Sequence, residues 1–444
     1  VLNRLTLREQ RDLIARGGAS AREVVDAHLA EIDKANPAVN AFIRVFAEEA
    51  RAEAGSPRPG ALSGVPVSIK DSFDVAGFPT YCGSKLRLDH RANADAACVA
   101  RLRAAGAIVI GKTNTPEFLA NYETDNWIAG RTNNPYDPAL TPGGSSGGES
   151  AAISAYFSAG GVGSDGGGSI RWPAHCCGIA GLKPTPGVVS AAGHFPVISN
   201  PGGMMGVAGP MARTVGDVKL LFDILRGYDP QDPYAAPVPP AHPSLDGIRV
   251  GVWPQFYKTP VQAECADAVA KAAKALASAG FIVDEFEPRG LERAPNLWAF
   301  LFTELSAPFT RELIDGRREL THWTGTEFLD AIEGRPEPSG RKVVEVLSAR
   351  DAMRASLLRQ MQEVPVILTA AAGMTAFRHR QRRFQTPAKE IGLFEGTFPL
   401  VWANLLGLPA LVVPVGQLGV QLVGAPYSED LLLALGERLE AELQ

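Results

Sequence analysis

Apolar positions recur at helical spacing near the start of the chain, where Val25, Leu29 and Ile32 share one face. Two capping-box patterns, Thr6-x-x-Glu9 and Ser20-x-x-Glu23, predict a pair of helix starts there. A Gly/Pro-rich link from Gly55 to Gly64 leads into the apolar run Val65–Ile69, a short strand ending at Lys70. The pattern then alternates. Ala94–Ala105 reads as helix, Ala107–Ile110 as buried strand, and a helical stretch falls near Glu149–Ser158. In the second half, strand Ile248–Val252, helix Pro260–Ala279 and strand Phe281–Phe286 form a βαβ unit that favours a parallel pair. Arg341–Gln362 reads as a long amphipathic helix, Leu411–Val415 and Val420–Val423 as strands. Ser428 is expected to cap a last helix carrying Glu429 and Asp430 in its first turn. The predicted architecture is α/β: a large domain with a mixed sheet core and helices on both faces.

Composition changes this picture little. The 444 residues are 45% hydrophobic and 20% charged, and 43 basic against 48 acidic residues give a net charge of −5 without charged blocks. Nucleic acid is not an expected partner, since it would call for a basic stripe. No apolar run approaches ~20 residues and no charged-then-apolar leader is read, so no membrane span is expected. Five cysteines, an odd number without a C-x-x-C pair, fit reduced thiols in the cytoplasm. Seven histidines show no metal-ligand spacing, and no metal or cofactor is expected.

Three motif matches fail on context. Gly106-Ala-Ile-Val-Ile-Gly111-Lys112-Thr113 fits a phosphate loop, but its middle residues read as strand and Pro116 follows where a helix should grow. Gly161-Val-Gly163-Ser-Asp-Gly166 fits a dinucleotide fingerprint, yet no acidic residue lies near Lys183, about 20 residues on. Gly143-Gly-Ser145-Ser-Gly147 fits a nucleophile elbow, yet the preceding segment carries three prolines where a strand is needed.

One constellation accounts for the dense glycine between Thr141 and Gly187. Lys70 ends an apolar strand in Val65-Pro-Val-Ser-Ile-Lys-Asp71. Thr141-Pro-Gly-Gly-Ser-Ser-Gly-Gly-Glu149 follows, and Ser169 stands in Gly163-Ser-Asp-Gly-Gly-Gly-Ser-Ile-Arg171, 24 residues beyond Ser145. A serine hydroxyl needs a base to become a nucleophile. A lysine can be that base when burial lowers its pKa from ~10.4. Gly166, Gly167 and Gly168 leave room for backbone amides, with that of Ser169, to converge on an oxyanion.

These segments closely resemble the amidase signature family, which includes fatty acid amide hydrolase, bacterial amidases and the amidase subunit of glutamyl-tRNA amidotransferase. The resemblance is strong over about residues 62–189, the signature core of an expected single amidase domain spanning residues 1–444, and weaker towards both ends, as in Gly407-Leu-Pro-Ala-Leu-Val-Val-Pro414. It implies hydrolysis of an amide through an acyl-enzyme on Ser169, with Lys70 acting through Ser145 held on a cis Gly144–Ser145 peptide. It further implies that Ser146, Asp165 and Arg171 support the site, and that Leu119, Ala120, Asn121 and Tyr122 line the acyl side of the pocket, after Thr113-Asn-Thr-Pro-Glu117. Trp172 is read as pocket wall or core, and His175 as a packing residue.

The chain departs from the amidotransferase subunit, which usually has Thr at the place of Gly167, Gln at that of Trp172 and no Glu at that of Glu149. These differences favour a free-standing amidase; a partner-dependent amidotransferase subunit is the alternative. The join Val415-Gly-Gln-Leu-Gly419 is shorter than the family's usual hairpin, and Ala370-Ala-Ala-Gly-Met374 replaces a Pro-containing strand end. The expected partner is a small-molecule amide, with a homodimer left open.

Overall fold

The computed structural model describes residues 1–198 and 202–444. Six strands come from the first half: β1 (Phe42–Val45), β2 (Pro66–Lys70), β3 (Ile108–Thr113), β4 (Gly160–Asp165), β5 (Ala180–Lys183) and β6 (Val207–Ala212). The second half adds β7 (Arg249–Trp253), β8 (Ile282–Glu285), β9 (Val366–Ala370), the small hairpin β10 (Arg383–Gln385) and β11 (Glu390–Gly392), then β12 (Ala410–Val415) and β13 (Leu418–Gly424). All except β10 and β11 form one eleven-stranded sheet of order β1-β3-β2-β4-β6-β5-β12-β13-β9-β7-β8. β2 pairs in parallel with β3 and β4, and β7 with β8 and β9; the pairs in between are antiparallel. The sheet is mixed, and the expected parallel βαβ unit is present.

Period-two alternation sends successive side chains to opposite faces. On β12, Leu411 and Val413 join one core with helices Val215–Leu225, Ala263–Ser278 and Glu429–Leu443. Val412, one step out of phase, packs with Ile153, Ile170 and Ala174 on the other side, where helices Gly147–Ser154 and Arg171–Cys176 lie. The same alternation decides where Lys70 goes. Val67 and Ile69 belong to the first core, so Ser68 and Lys70 project towards the second face and the helix at Gly147.

The N-terminal helices Leu7–Ala15 and Ala21–Val39 both carry complete capping boxes. β3 continues through Gly111, Lys112 and Thr113, all buried. Lys112 sits inside the sheet against Asp71 at 2.7 Å, which removes it from any phosphate-loop geometry. Gly161 and Gly163 lie within β4; a Cβ at Gly161 would meet Glu149 Oε1 at 2.0 Å, so close packing explains that glycine. Ser428 differs from expectation. Its hydroxyl donates to the Ala425 carbonyl at 2.7 Å and caps no N–H of the last helix. Glu429 is instead tied to the Thr185 N–H at 2.6 Å and Asp430 to Arg226 at 2.7 Å, so the acids at this helix start anchor it to distant segments.

Candidate active site

Lys70 is completely buried at the end of β2. Its Nζ lies 2.7 Å from Ser145 Oγ, 3.0 Å from Ser164 Oγ and 3.4 Å from the Ser164 carbonyl. Burial pulls its pKa down to about 7, against the opposing charges of Asp165 and Glu149. Ser145 follows a cis Gly144–Ser145 peptide in an irregular segment that no strand precedes, so an elbow geometry is absent. Ser146 supports the turn: its N–H donates to the Ser169 carbonyl at 3.2 Å and its hydroxyl to the Ser164 carbonyl at 3.3 Å. Ser169 is half-buried and lines the same cavity as Ser145. No hydrogen bond joins their two hydroxyls among the described residues.

The glycine turn is held by its carbonyls. Asn404 Nδ2 donates to the Asp165 carbonyl at 3.3 Å, Trp298 Nε1 to that of Gly166 at 2.9 Å, and the Trp172 N–H to that of Gly168 at 2.7 Å. A trans peptide places its N–H opposite its C=O. The N–H groups of Gly166, Gly167 and Ser169 therefore turn away from these tethers, and none donates to a protein group among the described residues. Gly168 is the exception among the expected oxyanion donors. Its N–H already donates to Asp165 Oδ1 at 2.7 Å.

Asp165 and Arg171 are wholly buried and paired at 3.0 Å. Burial opposes ionisation of Asp165, but the Arg171 guanidinium overrides it and holds the carboxyl well below the usual range. Arg171 also donates to the Leu400 carbonyl at 3.0 Å, Gln421 Oε1 at 3.0 Å and Asn404 Oδ1 at 2.5 Å. It thus ties the Ser169 turn to β13 and to helix Phe398–Leu405. His175 packs as expected, buried between the carbonyls of Gly419 and Met374.

A cavity of about 730 Å³ opens at Ser145 and Ser169. Leu119 and Ala120 line it, together with Phe118, Met205, Phe302, Phe309, Phe328 and Leu329. Asn121 and Tyr122 are not on its wall. Asn121 turns to Glu327 at 2.7 Å, and the buried Tyr122 hydroxyl donates to the Gly167 carbonyl at 2.9 Å. Trp172 is core: fully buried, stacked on Phe377, its Nε1 donating to the Tyr122 carbonyl at 2.9 Å. The residue after a loop-lining pair need not face the pocket when a neighbouring turn claims its side chain.

Sequence reasoning missed Ser164, His194, Trp298 and the 300s segment. Ser164 stands inside the glycine motif that delivers Ser169, and His194 has no spacing to mark it. Phe302 and Thr303 lie on a π-helical stretch, Phe300–Glu304, whose widened turn presents them to the cavity. No group of three or more His, Cys, Asp or Glu among the described residues could hold a metal ion, and no helix among them is long and apolar enough to cross a membrane.

The family model for amidases matches residues 23–433. The chain is 33% identical to an indoleacetamide hydrolase of Bradyrhizobium diazoefficiens, covering 96% of this chain and 84% of that protein. It is 34% identical to a glutamyl-tRNA(Gln) amidotransferase subunit from a Roseiflexus species, covering 98% of this chain and 96% of that one. Among solved structures, 6-aminohexanoate cyclic dimer hydrolase superposes with a TM-score of 0.89 at 28% identity, covering 100% of this chain and 97% of that one. A match running through nearly the whole chain, at this identity and with this fold, makes it a member of the amidase signature family and an amide hydrolase.

Proposed function

We propose that the chain is a free-standing amidase that cleaves apolar carboxylic amides through an acyl-enzyme on Ser169. The observation that carries the reading is the buried Lys70 amine, 2.7 Å from Ser145 Oγ and behind the cavity where Ser169 is reachable. Neutral Lys70 takes the proton of Ser145 as Ser145 takes that of Ser169, and Ser169 Oγ bonds to the amide carbon. Oxyanion charge meets the N–H groups of Gly166, Gly167 and Ser169. The Lys70 proton returns through Ser145 to the departing nitrogen, which leaves as ammonia or an amine. Water enters, the same relay deprotonates it, and a second oxyanion collapses to the acid with Ser169 restored. Each step uses side chains and backbone amides alone.

The cavity supports an apolar acyl group, since Phe118, Leu119, Met205, Phe302 and Phe328 surround the space beside Ser169. Relatedness to a protein named for indoleacetamide points the same way. Gly167, which the Trp298 ring packs against and at whose place the amidotransferase subunit usually has Thr, favours independent catalysis over feeding ammonia to a partner's active site. Five buried, unpaired cysteines support a reducing, cytoplasmic setting.

The test is hydrolysis by the purified chain, without other proteins, of arylacetamides, alkyl amides and glutamine, each compared with Ser169→Ala. The reading expects Ser169-dependent release of ammonia from the apolar amides. Turnover of glutamine alone, or none without a partner, contradicts it.

A further inference from the structure

His194 lies 25 residues past Ser169, buried, with its ring edge-on to Phe73 at 4.8 Å. Its Nδ1 is 2.7 Å from the Pro196 carbonyl, and its Nε2 is 2.9 Å from Ser164 Oγ. A carbonyl only accepts, so Nδ1 carries the hydrogen. Burial holds this imidazole neutral, with its pKa down to about 3. Nε2 is then a bare lone pair, and the Ser164 hydroxyl must donate to it.

The consequence passes to Lys70. With its one hydrogen committed to His194, Ser164 Oγ faces Lys70 Nζ as an acceptor only, at 3.0 Å. The Ser164 carbonyl, at 3.4 Å, also only accepts. A neutral lysine amine has two hydrogens and one lone pair. Both hydrogens have fixed takers, and the remaining neighbour is Ser145 Oγ at 2.7 Å. Without His194, the Ser164 hydroxyl could turn and donate into the same lone pair, in competition with Ser145.

We infer that His194 is a positioning residue: through Ser164 it reserves the Lys70 lone pair for the Ser145 proton. This rests on Lys70 being the base for Ser169, and it gives a buried histidine on the wall of the cavity a share in the rate through Ser164. His194→Leu removes the acceptor at similar size. His194→Gln can present a carbonyl oxygen near the place of Nε2.

The rate of Ser169 labelling by a fluorophosphonate at alkaline pH isolates the first chemical step in each variant. His194→Leu is expected to slow labelling about tenfold, and His194→Gln to recover most of that loss. In a Ser164→Ala background the same His194→Leu change is expected to cost less than about twofold, because coupled residues are non-additive. The inference is overturned if His194→Leu labels at the wild-type rate, if Gln loses as much as Leu, or if the loss is equal in the Ser164→Ala background. Lys70→Ala is measured alongside. If it labels like the wild type, the base assignment has failed, and that result is separate from any His194 effect.

Discussion

The Trp298 indole occupies the space a side chain at residue 167 would need: a Cβ on Gly167 would lie 2.3 Å from Trp298 Cζ2. The ring has little freedom to yield. It is buried, stacked on Phe302 at 4.7 Å, and tethered by Nε1 to the Gly166 carbonyl. Gly167→Ala must therefore displace either the indole or the turn that aims the proposed oxyanion donors. The expected outcome is a fall in kcat/KM of about tenfold to a hundredfold, less than the ~100- to 1000-fold cost of removing one such donor outright. Trp298→Phe should partly restore the Gly167→Ala enzyme, because the smaller ring vacates the contested space. Steady-state kinetics of the two single variants and the double variant check this; additive losses would contradict it.

Arg171 closes a buried network rather than a surface pair, with Asp165, Gln421, Asn404 and the Leu400 carbonyl all accepting from one guanidinium. Removing it strands a buried carboxylate. Arg171→Ala should lose about 3–5 kcal/mol of stability, read from urea unfolding. A loss under about 1 kcal/mol would mean that water or a neighbour replaces the guanidinium.

Much of this was legible in the sequence because local rules and tertiary demands agree. The capping boxes at Thr6 and Ser20, the strand ending at Lys70 and the βαβ unit at Ile248 follow from spacing that neighbours did not override. Lys70, Ser145 and Ser169 stand in a pattern long enough to be specific. What failed depends on which way a side chain turns. Tyr122 and Asn121 share a segment with Leu119 and Ala120, yet hydrogen bonds to Gly167 and Glu327 take them away from the cavity. Gly168, expected among the oxyanion donors, gives its N–H to a carboxylate three residues earlier. β4 was hidden because its glycines, packed against Glu149 and Ser146, leave a strand with almost no apolar pattern.

Glu149 offers a test through pH. It is fully buried, accepting from Ser68 Oγ at 2.5 Å and Thr113 Oγ1 at 2.7 Å, and burial pushes its pKa up from 4.5 to about 7. Between those values the folded protein holds a proton that the unfolded chain has released. Its contribution is thus intact below about 4.5 and is lost as pH rises to about 7, levelling beyond. Against Glu149→Gln, which cannot ionise, the wild type should lose about 3 kcal/mol of stability across that interval. Unfolding free energies of both proteins along a pH series measure the difference; a constant difference would contradict the raised pKa.

Lys70 is the proposed base. Its amine is the buried group beside Ser145, and its pKa near 7 sets the pH at which it can accept a proton. The most direct measurement is the rate of fluorophosphonate labelling of Ser169 against pH in the wild type and in Lys70→Ala. The wild-type rate should rise through about pH 7 to an alkaline plateau. Lys70→Ala should label slower by about a hundredfold or more, with that rise gone. A Lys70→Ala protein that labels as fast as the wild type, with the same pH profile, would contradict it.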